Sequence, residues 1–167
     1  MRVRRVAVVV PPEGAPPACD PGVLAVRLHG ADAFTGHRLL GLAVRNAGDT
    51  ACSLSGYPDL AFRAASGELV DASVLDGDPF GARDLGARPL VLDPGAEAFA
   101  VAGWGAMSTS LDPDVTVAVL LTPPGGANPV ELPVTSIPGY APGSSLDVLD
   151  GGEVTVTAWA ARFEDLL

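Results

Sequence analysis

The sequence contains no lysine. All ten of its basic residues are arginine, set against twenty acidic ones, and the net charge is −10 over 167 residues. Without lysine there is no phosphate-loop lysine, no Schiff base and no Ser–Lys dyad. A surface this negative repels phosphate backbones and anionic lipid, so nucleic acid is not an expected partner. Histidine is almost as scarce. His29 and His37 stand alone, at the two ends of one strand-to-strand connection, where exposure is expected. Two cysteines, Cys19 and Cys52, are too few for a structural zinc site. Met1, Met107 and the two histidines make a thin set for copper. No G-x-S-x-G motif occurs, and Ser55 and Ser108 are the nearest approaches to a presented nucleophile. No stretch comes near the ~20 apolar residues of a membrane helix, so no integral membrane segment is expected in this chain. Together these absences predict a protein without catalytic machinery, cofactor or metal centre.

What is present is punctuation. Twenty glycines and sixteen prolines are spread through a chain that is 48% hydrophobic, which favours many turns between short strands over long helices. Between the turns the apolar residues alternate with period two. Leu24, Val26 and Leu28 form one such run, Leu40, Leu42 and Val44 a second, and Leu60 with Phe62 a third. Phe99 and Val101 follow, then the nearly continuous Val115 to Leu121, then Val130 to Val134, and last Val154 with Val156. The reading is all-β, an antiparallel sandwich of about seven to nine strands. The last five residues are expected to fray or to form one helical turn.

Residues 19–167 are read as a single domain, preceded by an N-terminal segment over 1–18. Four prolines between Pro11 and Pro17 give that segment the character of an extended stalk. The apolar run Val6–Val10 is shorter than the roughly 7–15 residues of a secretory core. An export signal upstream is the expectation, and an extra edge strand over Val6–Val10 is the alternative. An even cysteine pair in a small β domain reads as a disulfide formed in an oxidising compartment. Two separate buried thiols are the alternative.

The stretch Asn46-Ala47-Gly48-Asp49-Thr50-Ala51-Cys52-Ser53-Leu54-Ser55-Gly56-Tyr57-Pro58 joins an Asn-headed turn to Cys-x-Leu-x-Gly-Tyr-Pro. Cys19 precedes the first strand, and Leu92-Asp93-Pro94-Gly95-Ala96-Glu97-Ala98 leads into a strand ending near Trp104. In these features the chain resembles the actinobacterial secreted domains of unknown function, family 4232, over about residues 19–160. The resemblance implies an immunoglobulin-like sandwich, export or a lipid anchor, and a disulfide carried by Cys19 and Cys52. It implies no activity. A second cysteine pair that many such domains carry in the C-terminal half is missing here.

Several residues remain as candidates for a working surface. Gly56, Tyr57 and Pro58 are expected to make a structural corner, with the Tyr57 hydroxyl tied to nearby backbone. The aperiodic stretch 71–88 carries Asp71, Asp76, Asp78 and Asp84 around Phe80, with Gly77, Gly81 and Gly86. Recognition usually falls to such loops, and an apolar ring among acids suits a basic partner. The alternatives are a small ligand or Ca²⁺ held by Asp76, Asp78 and Asp84, or Phe80 tucked against the sandwich. By alternation Trp104 and Trp159 fall opposite Val101 and Val156, where they would form an aromatic surface unless they fold over a sandwich end. The expectation is a non-catalytic module, secreted or at the cell surface, that binds or displays to an unknown envelope or extracellular partner. An accessory domain binding a ligand through loop 71–88 is the alternative.

Overall fold

The structure is a computed structural model that describes residues 14–108, 110–111 and 113–167. Val6–Val10 and Pro11–Pro12 lie outside the described residues. The fold is all-β, with eleven strands among the described residues where alternation predicts about seven to nine. A five-stranded sheet runs in the order β1 (Leu24–Phe34), β2 (His37–Asn46), β7 (Glu97–Gly105), β11 (Glu153–Val156) and β5 (Ser73–Asp76). The second sheet is centred on β8 (Pro113–Thr122), with β4 (Asp59–Ala64) along one edge. β9 (Val130–Pro133) and β10 (Leu146–Leu149) follow one another along its other edge. A two-stranded ribbon, β3 (Cys52–Leu54) with β6 (Leu90–Leu92), completes the set. Pairing of these strands is antiparallel except between β5 and β11.

The two large sheets enclose one core. Leu40, Leu42 and Val44 of β2 and Ala98, Ala100 and Ala102 of β7 share a cluster with Leu60, Phe62, Val119 and Leu121. Across it the Phe62 and Trp104 rings meet edge to face, with centroids 5.9 Å apart. Small alanines on β7 leave room for these rings, an interlocking of large against small that dense interiors require.

The outer face of the five-stranded sheet is covered too. Leu39 and Val101 pack with Ala160 and Leu166, together with Phe34, Phe99 and Phe163. The cover consists of the 77–86 loop and the C-terminal segment, which pairs Ala160 with Phe99 and ends in a 3-10 turn, Phe163–Leu166. β7 is therefore buried on both faces. Alternation along it does not mark which side meets water, and the expected assignment is reversed. Trp104 lies on the core side with Ala98, Ala100 and Ala102 and is 5% exposed, while Trp159 is 1% exposed. They do not form an aromatic surface.

The entry of the chain is fastened to the ribbon. Cys19 and Cys52 are joined by a disulfide with Cα atoms 4.7 Å apart. Ser53 donates its backbone N–H to the Pro17 carbonyl and its hydroxyl to the Pro16 carbonyl, so the end of the Pro-rich segment runs alongside β3. Nearby, fully buried Asn46 explains why an asparagine heads its turn. Its Nδ2 donates to the carbonyls of Thr50 (2.8 Å) and Leu92 (3.0 Å), and its Oδ1 accepts from Gly48 N–H. Its backbone bonds to Gly95 and Ala96 of the Pro-Gly turn. One residue thus holds together the 46–50 turn, β6 and the turn before β7.

Candidate functional site

The 71–88 stretch is not an open loop. Its first part is β5, a four-residue edge strand that buries only Val74 and so shows no hydrophobic period, paired in parallel with the distant β11. The remainder is fastened from several sides through Asp84. The Tyr57 hydroxyl donates to Asp84 Oδ2 at 2.5 Å. Asp84 Oδ1 accepts the N–H groups of Gly86 (2.9 Å) and Ala158 (3.0 Å). The backbone N–H of Asp84 in turn donates to Asp78 Oδ1 at 2.6 Å. Gly56, at φ +103° where a side chain would be strained, gives its carbonyl to Trp159 N–H. Tyr57 is therefore a corner residue as expected, but its hydroxyl partner is a carboxylate and not backbone. Burial raises its pKa most, followed by the Asp84 hydrogen bond and the charges of Asp84, Asp76 and Asp78.

This arrangement bears on calcium. Both oxygens of Asp84 are already occupied by protein donors, which removes a ligand from the expected trio. Among the described residues no three His, Cys, Asp or Glu side chains gather as a metal site.

Phe80 stands out from this fastened loop at 64% exposure. It is not tucked against the sandwich core. Its ring stacks on His37, with centroids 4.0 Å apart and planes 15° from parallel, and lies 5.7 Å from Phe34. Gly81 makes the approach possible. Its φ is +87°, and a Cβ there would sit 2.6 Å from Phe34 Cζ. Met107, 78% exposed, lies over the turn between β1 and β2 with its sulfur beside Gly36. Phe80, Phe34, His37 and Met107 thus gather at the hairpin end of the outer face.

Both histidines are packed against aromatic rings, not free in solvent. His29 sits at the β1 bulge with Phe99 and Phe163 at 4.9 and 4.6 Å. Its Nδ1 lies 3.0 Å from Arg27, which also grips Glu97 with two nitrogens. The His29 pKa is lowered, first by burial and then by Arg27. Three of the arginines are locally neutralised, Arg27 by Glu97, Arg38 by Asp147 and Arg63 by Glu131. No helix among the described residues is long and apolar enough to cross a membrane.

On the inner side of the same hairpin end, a cleft of about 320 Å³ opens between the sheets. Arg38 of β2 spans it to Asp147 of β10, Nε to Oδ2 at 3.1 Å, tying one sheet to the other. Trp104, Tyr140 and Ser145 also line it. Sequence reading missed this cleft because its residues come from four separated stretches with no shared motif.

No curated protein and no solved structure matches the chain. The family described as Domain of unknown function (DUF4232) matches residues 19–160, and the chain belongs to that family.

Proposed function

We propose that this domain is a non-catalytic binding module of immunoglobulin-like type, secreted or held at an actinobacterial cell surface, and that it recognises an envelope or extracellular partner through Phe80. The observation that carries the reading is a phenylalanine 64% exposed on a loop whose Asp78 and Asp84 carboxylates hold it in place. Such a loop presents its ring without losing much freedom on binding. The Phe80 and His37 faces, flanked in sequence by Asp76 and Asp78 on a chain of net charge −10, suit a basic partner. The Cys19–Cys52 bond supports an oxidising compartment.

The test uses labelled protein incubated with isolated cell walls, membrane vesicles and the secreted protein fraction of the source cells. Retention on one fraction, weakened by salt and abolished by Phe80→Ser at an unchanged melting temperature, is expected. Exposed substitutions of this kind cost within about 0.5 kcal/mol. Equal retention of wild type and variant would remove Phe80 from the site. Cell fractionation tests location, and recovery in the cytoplasm with two free thiols would overturn it.

A further inference from the structure

We propose that the inter-sheet cleft at Arg38, Trp104 and Asp147 binds one ring of a neutral saccharide. Its polar atoms are the argument. Trp104 is 5% exposed, and its indole N–H finds only Asp147 Oδ1, at 3.4 Å. That distance is beyond the ~2.7–3.2 Å of a good N–H···O bond, and buried indole N–H groups ordinarily find better partners. Asp147 Oδ2 is taken by Arg38, which leaves Oδ1 underused. Tyr140 and Ser145 bring two hydroxyls to the same lining, Ser145 from the residue just before β10. The cleft therefore offers a donor, an acceptor and two hydroxyls that can act as either.

Its charge narrows the ligand further. Arg38 and Asp147 cancel each other at 3.0 Å, and exposed Asp32 leaves the lining one net negative charge, which works against an anion and makes a cation the comparison to run. The chain's net charge of −10 works against acidic sugars. A sugar hydroxyl both donates and accepts, so one oxygen placed beside this 3.4 Å pair can accept from the Trp104 N–H while donating to Asp147 Oδ1. The C–H face of the ring has Leu146, Ala31 and Ala33 to rest on. The volume, about 320 Å³, lies at the small end of the roughly 300–1,000 Å³ of ligand sites. The site is independent of Phe80. Arg38 faces inward opposite Trp104 on β7, while its neighbour His37 carries the Phe80 stack outside.

The chain has two tryptophans, so two indole N–H signals report on it in ¹H–¹⁵N spectra, with Trp159 as internal control and Trp104→Phe giving the assignment. Glucose, galactose and N-acetylglucosamine are titrated, with choline chloride as a cationic comparison. Saturable movement of the Trp104 signal with at least one sugar is expected. Removing the Tyr140 and Ser145 hydroxyls (Tyr140→Phe, Ser145→Ala) should weaken binding about three- to tenfold for each hydroxyl lost, without lowering the melting temperature. Phe80→Ser should leave the titration unchanged. Absence of saturation with every sugar overturns the proposal, as does a stronger response to choline. Equal affinity in the double variant places the sugar elsewhere and overturns it too.

Discussion

The Tyr57 hydroxyl and the Ala158 backbone N–H bind the two different oxygens of one carboxylate, Asp84. A single side chain thereby closes the 56–58 corner, the 77–86 loop and the C-terminal segment onto each other. Asp84→Ala leaves one hydroxyl and two N–H groups without their acceptor, and a cost of about 3 kcal/mol is expected. Tyr57→Phe removes one charge-assisted bond and should cost about 1–2 kcal/mol. Urea unfolding of both variants and their double checks this. If Asp84→Ala costs no more than Tyr57→Phe, the carboxylate does not hold three segments.

Tyr57 also predicts alkaline behaviour. Its folded pKa is raised above the ordinary 10.0, chiefly by burial and then by Asp84. Above pH 10 the unfolded chain releases the phenol proton while the folded one keeps it, so stability falls as pH rises. The contribution is whole below pH 10 and is lost progressively above it. Tyr57→Phe should flatten that part of the pH–stability curve, and phenolate absorbance should show one tyrosine ionising late.

His29 acts at the other end of the scale. Its folded pKa lies below the ordinary 6.5, from burial and then Arg27, with Glu97 and Glu164 opposing. As pH falls below 6.5 the unfolded state takes up the proton first, so stability is full above that value and declines in acid. His29→Gln should make the acid side shallower between wild-type and variant denaturation curves. An unchanged slope would mean that the ring is not held neutral between Phe99 and Phe163.

At Asn46 the side chain serves two carbonyls and one N–H in a fully buried position. Asn46→Ala should cost about 3 kcal/mol, since each buried group left alone costs about 1–3. Asn46→Asp should be at least as damaging, because it turns an acceptor toward the Thr50 and Leu92 carbonyls. Thermal unfolding of the two variants decides this.

Thr116 is the opposite case. Its hydroxyl is buried without a hydrogen-bond partner, at the point on β8 where Ala64 and Leu146 meet it from either side. Thr116→Val keeps the shape and removes the lone polar atom, so a gain of about 1 kcal/mol in chemical denaturation is expected. A loss would mean that the hydroxyl is satisfied in solution.

Strand positions with one solvated face were legible in the sequence. Leu60 and Phe62 alternate with the more open Ala61 and Arg63 along β4 and do face the core. The Cys–Tyr–Pro segment pointed to the family and to the disulfide, both of which stand. Alternation put Trp104 opposite the core because β7 is covered on both sides, which erases the contrast that alternation depends on. β5 and β10 were missed since each is four residues long and finds its partners far along the chain. The Tyr57–Asp84 bond spans 27 residues, and the Arg38–Asp147 pair 109. Polar contacts of that reach leave no periodic trace. Phe80 was singled out by its acidic surroundings, but its stack on His37 depends on how the β1–β2 turn meets Gly81.

The Cys19–Cys52 bond also sets how the domain carries mechanical load. Tension applied to the chain ahead of Cys19 passes straight through the sulfurs into β3, a jump of 33 residues. The intervening stretch contains all of β1 and β2, which form most of the hairpin end. Those strands lie off the line of force and cannot lengthen while the bond is intact. A domain pulled from that side would yield first beyond Cys52, and the β1–β2 hairpin, with His37, Phe34 and Arg38 on it, would be the last covalent stretch able to extend.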